Sequence, residues 1–330
     1  GTNFILVSHQ NPDLDCICSS LALGNYLSRM NKRIYFLNTD EFFTDKNIKN
    51  YKKYFNNKLP DKCENFNLVF LDCHSLDRIG SLKDEVLHIK NVAIIDHHEL
   101  QDNDLLHPNY NIDLTYLNTS SPSTTLLIQK VIENLSQFTG LNLNNNEADL
   151  IFKGFCYDTE FFRYIKSDSS WVFLQLANVI NLGVSPKDTF NILYSGYTNN
   201  SRRYLGHMLN TYKVYCRDRL IIASCDLNTY NSFIKSDVDN DTLHKLLLQI
   251  ENIEVVAIII QKDINYATAS LRSLEKINVS KIANKFGGGG HKNASGFKFE
   301  FLKENALQEL IDDFIELTSK EFDMEFDNVL

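Results

Sequence analysis

Apolar residues in the first third of the chain come in short runs, and three of these runs break on histidine or aspartate. Phe4-Ile5-Leu6-Val7 leads into His9, Asp13 and Asp15; Leu68-Val69-Phe70-Leu71 into Asp72; Asn91-Val92-Ala93-Ile94-Ile95 into Asp96-His97-His98. Unbroken, β-branched runs of this length read as strands buried on both faces, the habit of parallel sheets. A further strand is predicted over 33–37. Elsewhere the spacing lengthens to the helical period: from Ser19 to Met30, then near 122–135, 147–156 and 170–181. Strands alternating with helices predict a parallel sheet covered by helices. Residues 185–212 read as a helical connector, with Asn199-Asn200-Ser201 as its break or cap.

Beyond the connector the pattern changes. Leu220 to Ala223, Glu254 to Gln261 and Tyr266 to Leu271 are predicted strands, and Phe297-Lys298-Phe299 alternates like one. Helices are predicted over 239–250, 279–285 and 303–318. Between a helix and a strand sits Gly287-Gly288-Gly289-Gly290-His291. The fold class expected is therefore α/β: a parallel-sheet domain over 1–190, a connector over 191–212, and a smaller α/β domain over 213–330. The Asn-rich stretch from Asn142 to Asn146 reads as a loop, and no internal repeat is visible.

Bulk properties narrow the function. At 330 residues and 43% hydrophobic, the chain can build two cores. A net charge of −9 argues against a grip on long nucleic acid, which needs a basic footprint. It leaves a short phosphorylated substrate open, because a bound cation supplies positive charge locally. The 7 cysteines include no Cys-x-x-Cys pair, so reduced, mostly buried thiols are expected. No signal peptide or membrane-length apolar run is evident, and a soluble cytoplasmic protein without a membrane partner is expected.

The candidate chemistry is metal binding. His9, Asp13 and Asp15 read as one loop, stiffened by Pro12. Asp72, His97 and a later carboxylate, best Asp158, would complete two metal shells. So many carboxylates converging without cations would repel one another and draw protons. A mixed His/Asp set suits Mn²⁺ or a similar first-row ion better than Mg²⁺. Each residue alone has a bland reading: an Asp after a strand is usually a cap or turn residue, and a lone His a satisfied core or surface group. What outweighs this is their shared location, because ligands of open α/β sheets gather outside the carboxyl ends of strands.

These residues, taken with Asp158-Thr159, resemble the four successive motifs of the DHH phosphoesterases. The segment from Gly287 to Gly296 resembles the signature of the DHH-associated C-terminal domain, so the resemblance spans nearly the whole chain. It implies an N-terminal domain holding two Mn²⁺ (with Mg²⁺ or Co²⁺ as substitutes), a C-terminal domain that clamps nucleotide, and an active site in the cleft between them. By this resemblance His9 and Asp13 serve one metal, Asp15, His97 and Asp158 the other, and Asp72 bridges both. His98 faces the scissile phosphate, and Asp96 orients a histidine by hydrogen bonding. Gly289, Gly290 and His291 contact the substrate phosphate or terminal nucleotide, and Arg272-Ser273 matches a substrate position. The bare chemistry agrees: glycines allow close backbone approach, and a guanidinium suits bidentate phosphate binding. Ser123 and Thr124 read as a helix cap on residue type alone and as phosphate-facing by resemblance. Arg78 either screens the acidic cluster or holds a phosphate.

Some positions depart from the pattern. Cys16 and Cys18 stand where Ala and Gly are more typical, and are expected only to alter packing. Glu160 stands where Gly is usual, and is expected to point away from the metals. The function implied is a Mn²⁺-dependent phosphodiesterase. Its substrates would be short nucleotides: pApA, other di- to oligoribonucleotides (nanoRNA), and cyclic di-AMP. Alternatives are an adenosine 3′,5′-bisphosphate phosphatase, an inorganic pyrophosphatase, and a non-catalytic cyclic-dinucleotide sensor. A homodimer is compatible with the resemblance.

Overall fold

Five strands build the first sheet: β1 (Asn3–Val7), β2 (Arg33–Leu37), β3 (Asn67–Leu71), β4 (Asn91–Asp96) and β5 (Leu114–Leu117). All pair in parallel, in the order β2-β1-β3-β4-β5. Successive side chains of a strand enter opposite faces, and here each face meets a separate core. Leu6, Val69, Leu71 and Ile95 pack with the helices of one side; Ile5, Val7, Leu68, Phe70, Val92 and Ile94 fill the other. This is a computed structural model, and it describes residues 2–40, 46–99, 114–166, 168–233, 239–274, 276–301 and 306–327. The chain divides into two compact units, Gly1–Ser195 and Gly196–Leu330.

The helices of the first unit are α1 (Leu14–Arg29), α2 (Thr124–Thr139), α3 (Asn145–Asp158), α4 (Ser170–Asn181) and α5 (Pro186–Tyr194). Helix α1 begins five residues before the expected Ser19. Asp13 caps it, its carboxylate accepting the Cys16 N–H at 2.9 Å, as a short acidic side chain does at an N-cap. Strand β5, four residues long, has too short an apolar pattern to be read from sequence.

Helices α1 and α3 are tied by charge as well as packing. Arg29 Nη1 donates to both carboxylate oxygens of Glu147, at 2.9 and 2.7 Å. Glu147 is fully buried and also closes a capping box with Asn144 at the start of α3. Arg29→Ala leaves that carboxylate without a cation. It should cost about 3 kcal/mol, the low end for breaking a buried pair, because the Arg29 side chain is 32% exposed. Urea unfolding of wild type, Arg29→Ala and Arg29→Lys checks this, with the lysine variant expected between the other two.

The second unit has β6 (Lys213–Tyr215), β7 (Leu220–Cys225), β8 (Val255–Asp263), β9 (Tyr266–Ser273), β10 (Gly289–His291) and β11 (Ala294–Glu300). Their order is β10-β11-β9-β8-β7-β6, and the sheet is mixed, with β7 and β8 parallel. Strand β8 alternates cleanly. Val255, Ala257 and Ile259 meet α9 (Val279–Lys285) and α10 (Ala306–Asp327); Val256, Ile258 and Ile260 meet α6 (Asn199–Thr211), α7 (Leu227–Ser232) and α8 (Asn240–Leu247). Thr198 caps α6 through the Ser201 N–H, one residue before the expected break. No helix among the described residues is long and apolar enough to cross a membrane.

Candidate metal centre

In a sheet ordered β2-β1-β3, the chain turns to opposite sides after β1 and β3, opening a crevice at their carboxyl ends. His9 follows β1 and Asp72 follows β3, and His9 Nε2 lies 3.5 Å from Asp72 Oδ2. Asp72 adopts a left-handed backbone with φ +59°, while its N–H donates to the Ile95 carbonyl at 3.0 Å. That contact holds the residue after β3 beside β4. There the chain delivers His97, whose Nε2 lies 3.5 Å from Asp72 Oδ1 and 3.1 Å from Asp158 Oδ2.

Backbone carbonyls set the histidine rings. Nδ1 of His9 is 2.6 Å from the Gln10 carbonyl oxygen, and Nδ1 of His97 is 3.2 Å from that of Ser121. A carbonyl can only accept, so each Nδ1 carries the hydrogen and each Nε2 is left as a donor for a cation. Both Nε2 atoms, and Asp72 Oδ2, are buried with no hydrogen-bond partner. Buried polar atoms are rarely orphaned without a reason.

Asp15 lies on the first turn of α1, not on a loop, and its carboxylate faces the start of α2. It accepts the Thr124 N–H at 2.6 Å, the Thr125 N–H at 3.0 Å and the Thr125 hydroxyl at 2.6 Å. A carboxylate here meets the positive end of the helix dipole. Gly154 of α3 makes room: a Cβ there would lie 2.4 Å from Thr125 Cγ2 and 2.8 Å from Asp15 Oδ1.

Among the described residues three donor groups result, each with one donor atom per residue and all donors within 4.8 Å of one another: His9 with Cys16 and Asp72, Asp72 with His97 and His98, and Asp15 with His97 and Asp158. Asp13 belongs to none of these three. Its Oδ1 is engaged by the Cys16 N–H. Electrostatics mark the crowding. Burial, then the charges of Asp72 and Asp158, pushes Asp13 up to about 7. Burial likewise raises Asp15 and Asp158. Burial opposes charge on the histidines, yet the surrounding acids outweigh it: His97 rises to about 10, chiefly through Asp158 and Asp72, and His9 to about 12 through Cys16 and Asp72. Asp72, buried but ringed by these imidazoles, falls to about 2. Donors that collect protons so strongly form a set suited to divalent cations, and the orphaned Nε2 and Oδ2 atoms meet the same requirement.

Asp96 is fully buried and ties the centre together. Its Oδ1 accepts the His97 N–H at 2.7 Å, the His98 N–H at 3.1 Å and His98 Nδ1 at 2.7 Å; its Oδ2 lies 2.5 Å from His74 Nδ1. Burial opposes its charge, but the two histidines hold its carboxyl well below the usual range. His74 escaped the sequence reading because nothing local marks it: its partner is 22 residues away. Thr124 and Thr125 answer Asp15 across more than 100 residues; Thr124 also donates its hydroxyl to Asp72 Oδ1 at 2.7 Å. Ser123 is buried and caps α2, its Oγ accepting the Leu126 N–H. The Arg78 carbonyl accepts the Gln10 N–H at 2.6 Å.

Asp158 is the last residue of α3, and the next turn is unusual. Glu160, Phe161 and Phe162 have φ of +45°, +56° and +77°, a region costly for residues with a Cβ. This accounts for the glycine usual at position 160. Ring contacts hold the turn: Phe161 meets Phe152 edge-on at 6.3 Å, and Phe162 stacks on Phe173 at 5.6 Å. The Glu160 carboxylate pairs with Arg163 Nη1 at 3.2 Å and joins none of the three donor groups.

The remaining expected residues lie in the second unit. His291 of β10 pairs with Ala294 of β11, which pairs with Arg272 of β9, so His291 and Arg272 share one cross-strand row. Gly290 has φ +138°, and a Cβ there would lie 2.6 Å from the Ala294 carbonyl oxygen, so close strand approach itself demands glycine. Arg272 Nη2 lies 3.3 Å from Asp241 Oδ1. Ser273 is buried, and its hydroxyl donates to the Ile277 carbonyl at 2.7 Å. Gly289 opens β10, an edge strand of this sheet.

A doubly wound sheet with acid and imidazole donors at its switch point is thus followed along the chain by a mixed-sheet unit. Residues 3–155 match the DHH family, N-terminal domain, and residues 221–320 match the DHHA1 domain. The chain belongs to the DHH family, with a DHHA1 C-terminal domain. It is 25% identical over 259 residues to the A-adding tRNA nucleotidyltransferase of Aquifex aeolicus, covering 78% of this chain and only 28% of that one. It is also 25% identical over 301 residues to the bifunctional oligoribonuclease and PAP phosphatase NrnA of Thermus thermophilus, covering 88% and 82% of the two chains. The crystal structure of an exopolyphosphatase-related protein from Bacteroides fragilis superposes with a TM-score of 0.80 at 23% identity, covering 97% of this chain and 93% of that one.

Proposed function

We propose that the protein is a Mn²⁺-dependent phosphodiesterase that cleaves short nucleotides, such as pApA and other di- to oligoribonucleotides, to mononucleotides. The carrying observation is the set of three buried donor atoms with no partner, His9 Nε2, Asp72 Oδ2 and His97 Nε2, where β1, β3 and β4 end. His9, Asp13, Asp15, Asp72, His97 and Asp158 would hold two cations, with Asp72 shared. Cations in such a site lower the pKa of water and polarise phosphoryl oxygens.

The chain's own groups do the rest. Asp96 accepts from His98 Nδ1 and so fixes the ring that would face the scissile phosphate. Thr124 steadies Asp72, and the Ser121 carbonyl steadies His97. In the second unit, Arg272 and His291 offer cationic and hydrogen-bonding groups to a nucleotide phosphate, with Gly289 and Gly290 keeping the strand free of side chains beside them. The net charge of −9 suits short substrates better than long ones. The Thermus relative's description as both oligoribonuclease and PAP phosphatase supports a second activity on adenosine 3′,5′-bisphosphate.

One preparation should be incubated with Mn²⁺ and, separately, pApA, cyclic di-AMP, adenosine 3′,5′-bisphosphate and pyrophosphate, and the products separated by chromatography. Conversion of pApA to AMP is expected. Turnover of pyrophosphate alone would replace this reading with a pyrophosphatase, and inactivity on all four would refute hydrolysis of this substrate class.

A further inference from the structure

Cys16 was expected to be a packing residue, and its surroundings differ from that expectation. Its neighbour Cys18, two positions along α1, lies inside the apolar core. Cys16 is equally buried but shares a donor group with His9 and Asp72, whose own side chains are only 6% and 1% exposed. His9 Nε2 and Asp72 Oδ2 in that group have no hydrogen-bond partner. The sulfur's own hydrogen bond is weak, to the Leu71 carbonyl at 3.7 Å. The backbone leaves Cys16 little freedom, because the Asp13 carboxylate fixes its N–H. The same bond engages Asp13, the residue otherwise expected beside His9.

We infer that Cys16 is a sulfur donor to the cation position formed with His9 and Asp72, and that this position holds thiophilic divalent cations such as Co²⁺, Zn²⁺ or Cd²⁺ in preference to Mn²⁺. The inference rests on the two-cation reading above and refines it. Imidazole and carboxylate accept many first-row ions, whereas a thiolate shifts the choice toward softer ones. As sulfur ligates, its proton leaves to the buffer. A position usually filled by alanine would thus change which metal the centre retains.

Cation-free wild type, Cys16→Ala, Cys16→Ser and Cys18→Ala should be titrated with Co²⁺, recording absorbance and counting bound cobalt by elemental analysis. Wild type and Cys18→Ala should show a sulfur-to-cobalt charge-transfer band in the near ultraviolet. Both Cys16 variants should lack that band while keeping the visible absorption of bound cobalt. Competition should show the Zn²⁺-to-Mn²⁺ affinity ratio falling in Cys16→Ala by at least the roughly 10- to 100-fold that loss of a mere outer partner of a metal ligand brings. A wild type that binds cobalt without the band, or a Cys16→Ala that keeps it, overturns the sulfur ligand and leaves the two-cation reading standing. A wild type that binds no cobalt overturns both.

Discussion

Asp72→Asn is expected to lower Mn²⁺-supported hydrolysis of pApA by on the order of 10³- to 10⁴-fold, about 4–5.5 kcal/mol of transition-state stabilisation. Asp72 is the residue common to the His9 group and the His98 group, so neutralising it weakens both at once. Asparagine is the informative replacement. The backbone at 72 is left-handed with φ +59°, which asparagine tolerates and alanine does not. Its amide oxygen can still accept the Thr124 hydroxyl, which lies 2.7 Å from Asp72 Oδ1. The variant should therefore keep the wild-type circular dichroism and gel-filtration profile while losing activity. Near wild-type turnover at saturating Mn²⁺ would remove Asp72 from the mechanism.

The second large effect is on stability. Mn²⁺ at about 100 times its dissociation constant should stabilise the fold by about 2.7 kcal/mol per site, and the gain should shrink as the pH falls from about 8 to about 5.5. The sign follows from the carboxyls. Asp13 is raised from 3.8 to about 7, and Asp15 and Asp158 are raised too, burial being the first cause in each case. A raised carboxyl binds more protons folded than unfolded. Its contribution is therefore complete below the unfolded pKa and is lost as pH climbs through the folded value. The cation-free protein should lose stability between about pH 4 and pH 7 for that reason. His9 and His97, raised from 6.5 to about 12 and about 10, contribute fully below about pH 6.5 and lose that contribution as the pH rises from there toward the folded values. Asp72, lowered to about 2, acts oppositely but only below its ordinary value of 3.8. Cations compete with the carboxyl protons, so they bind best where those protons are gone. Thermal melts with Mn²⁺ and with chelator across this range check the trend; a Mn²⁺ gain that is flat, or larger in acid, would contradict it.

Much of this was legible in the chain because its signals are local. Each of β1, β3 and β4 is an apolar run ending at its polar residue, and the order of those residues along the sequence matches their gathering at the strand ends. What escaped is non-local or conformational. Leu14 was assigned to a loop because Pro12, Asp13 and Asp15 suppress the apolar signal, although Asp13 is itself the cap that starts the helix. The partnership of Asp15 with the first N–H groups of α2 spans 109 and 110 residues, beyond any spacing rule. His74 depends on a buried carboxylate brought in by another strand. Cys16 looked inert because its residue type suggests core packing, and only the folded chain reveals which face of α1 it occupies.

The left-handed turn after α3 carries a consequence of its own. Without glycine at 160, the path leading away from Asp158 is kept by aromatic side chains rather than by backbone freedom. Phe173 and Phe190, which brace Phe162 and Phe161, are 53% and 47% exposed. The segment that carries Asp158 out of its helix is therefore clasped by rings half open to water, so a truncation far from any cation donor, such as Phe173→Ala, would free the carboxylate to wander.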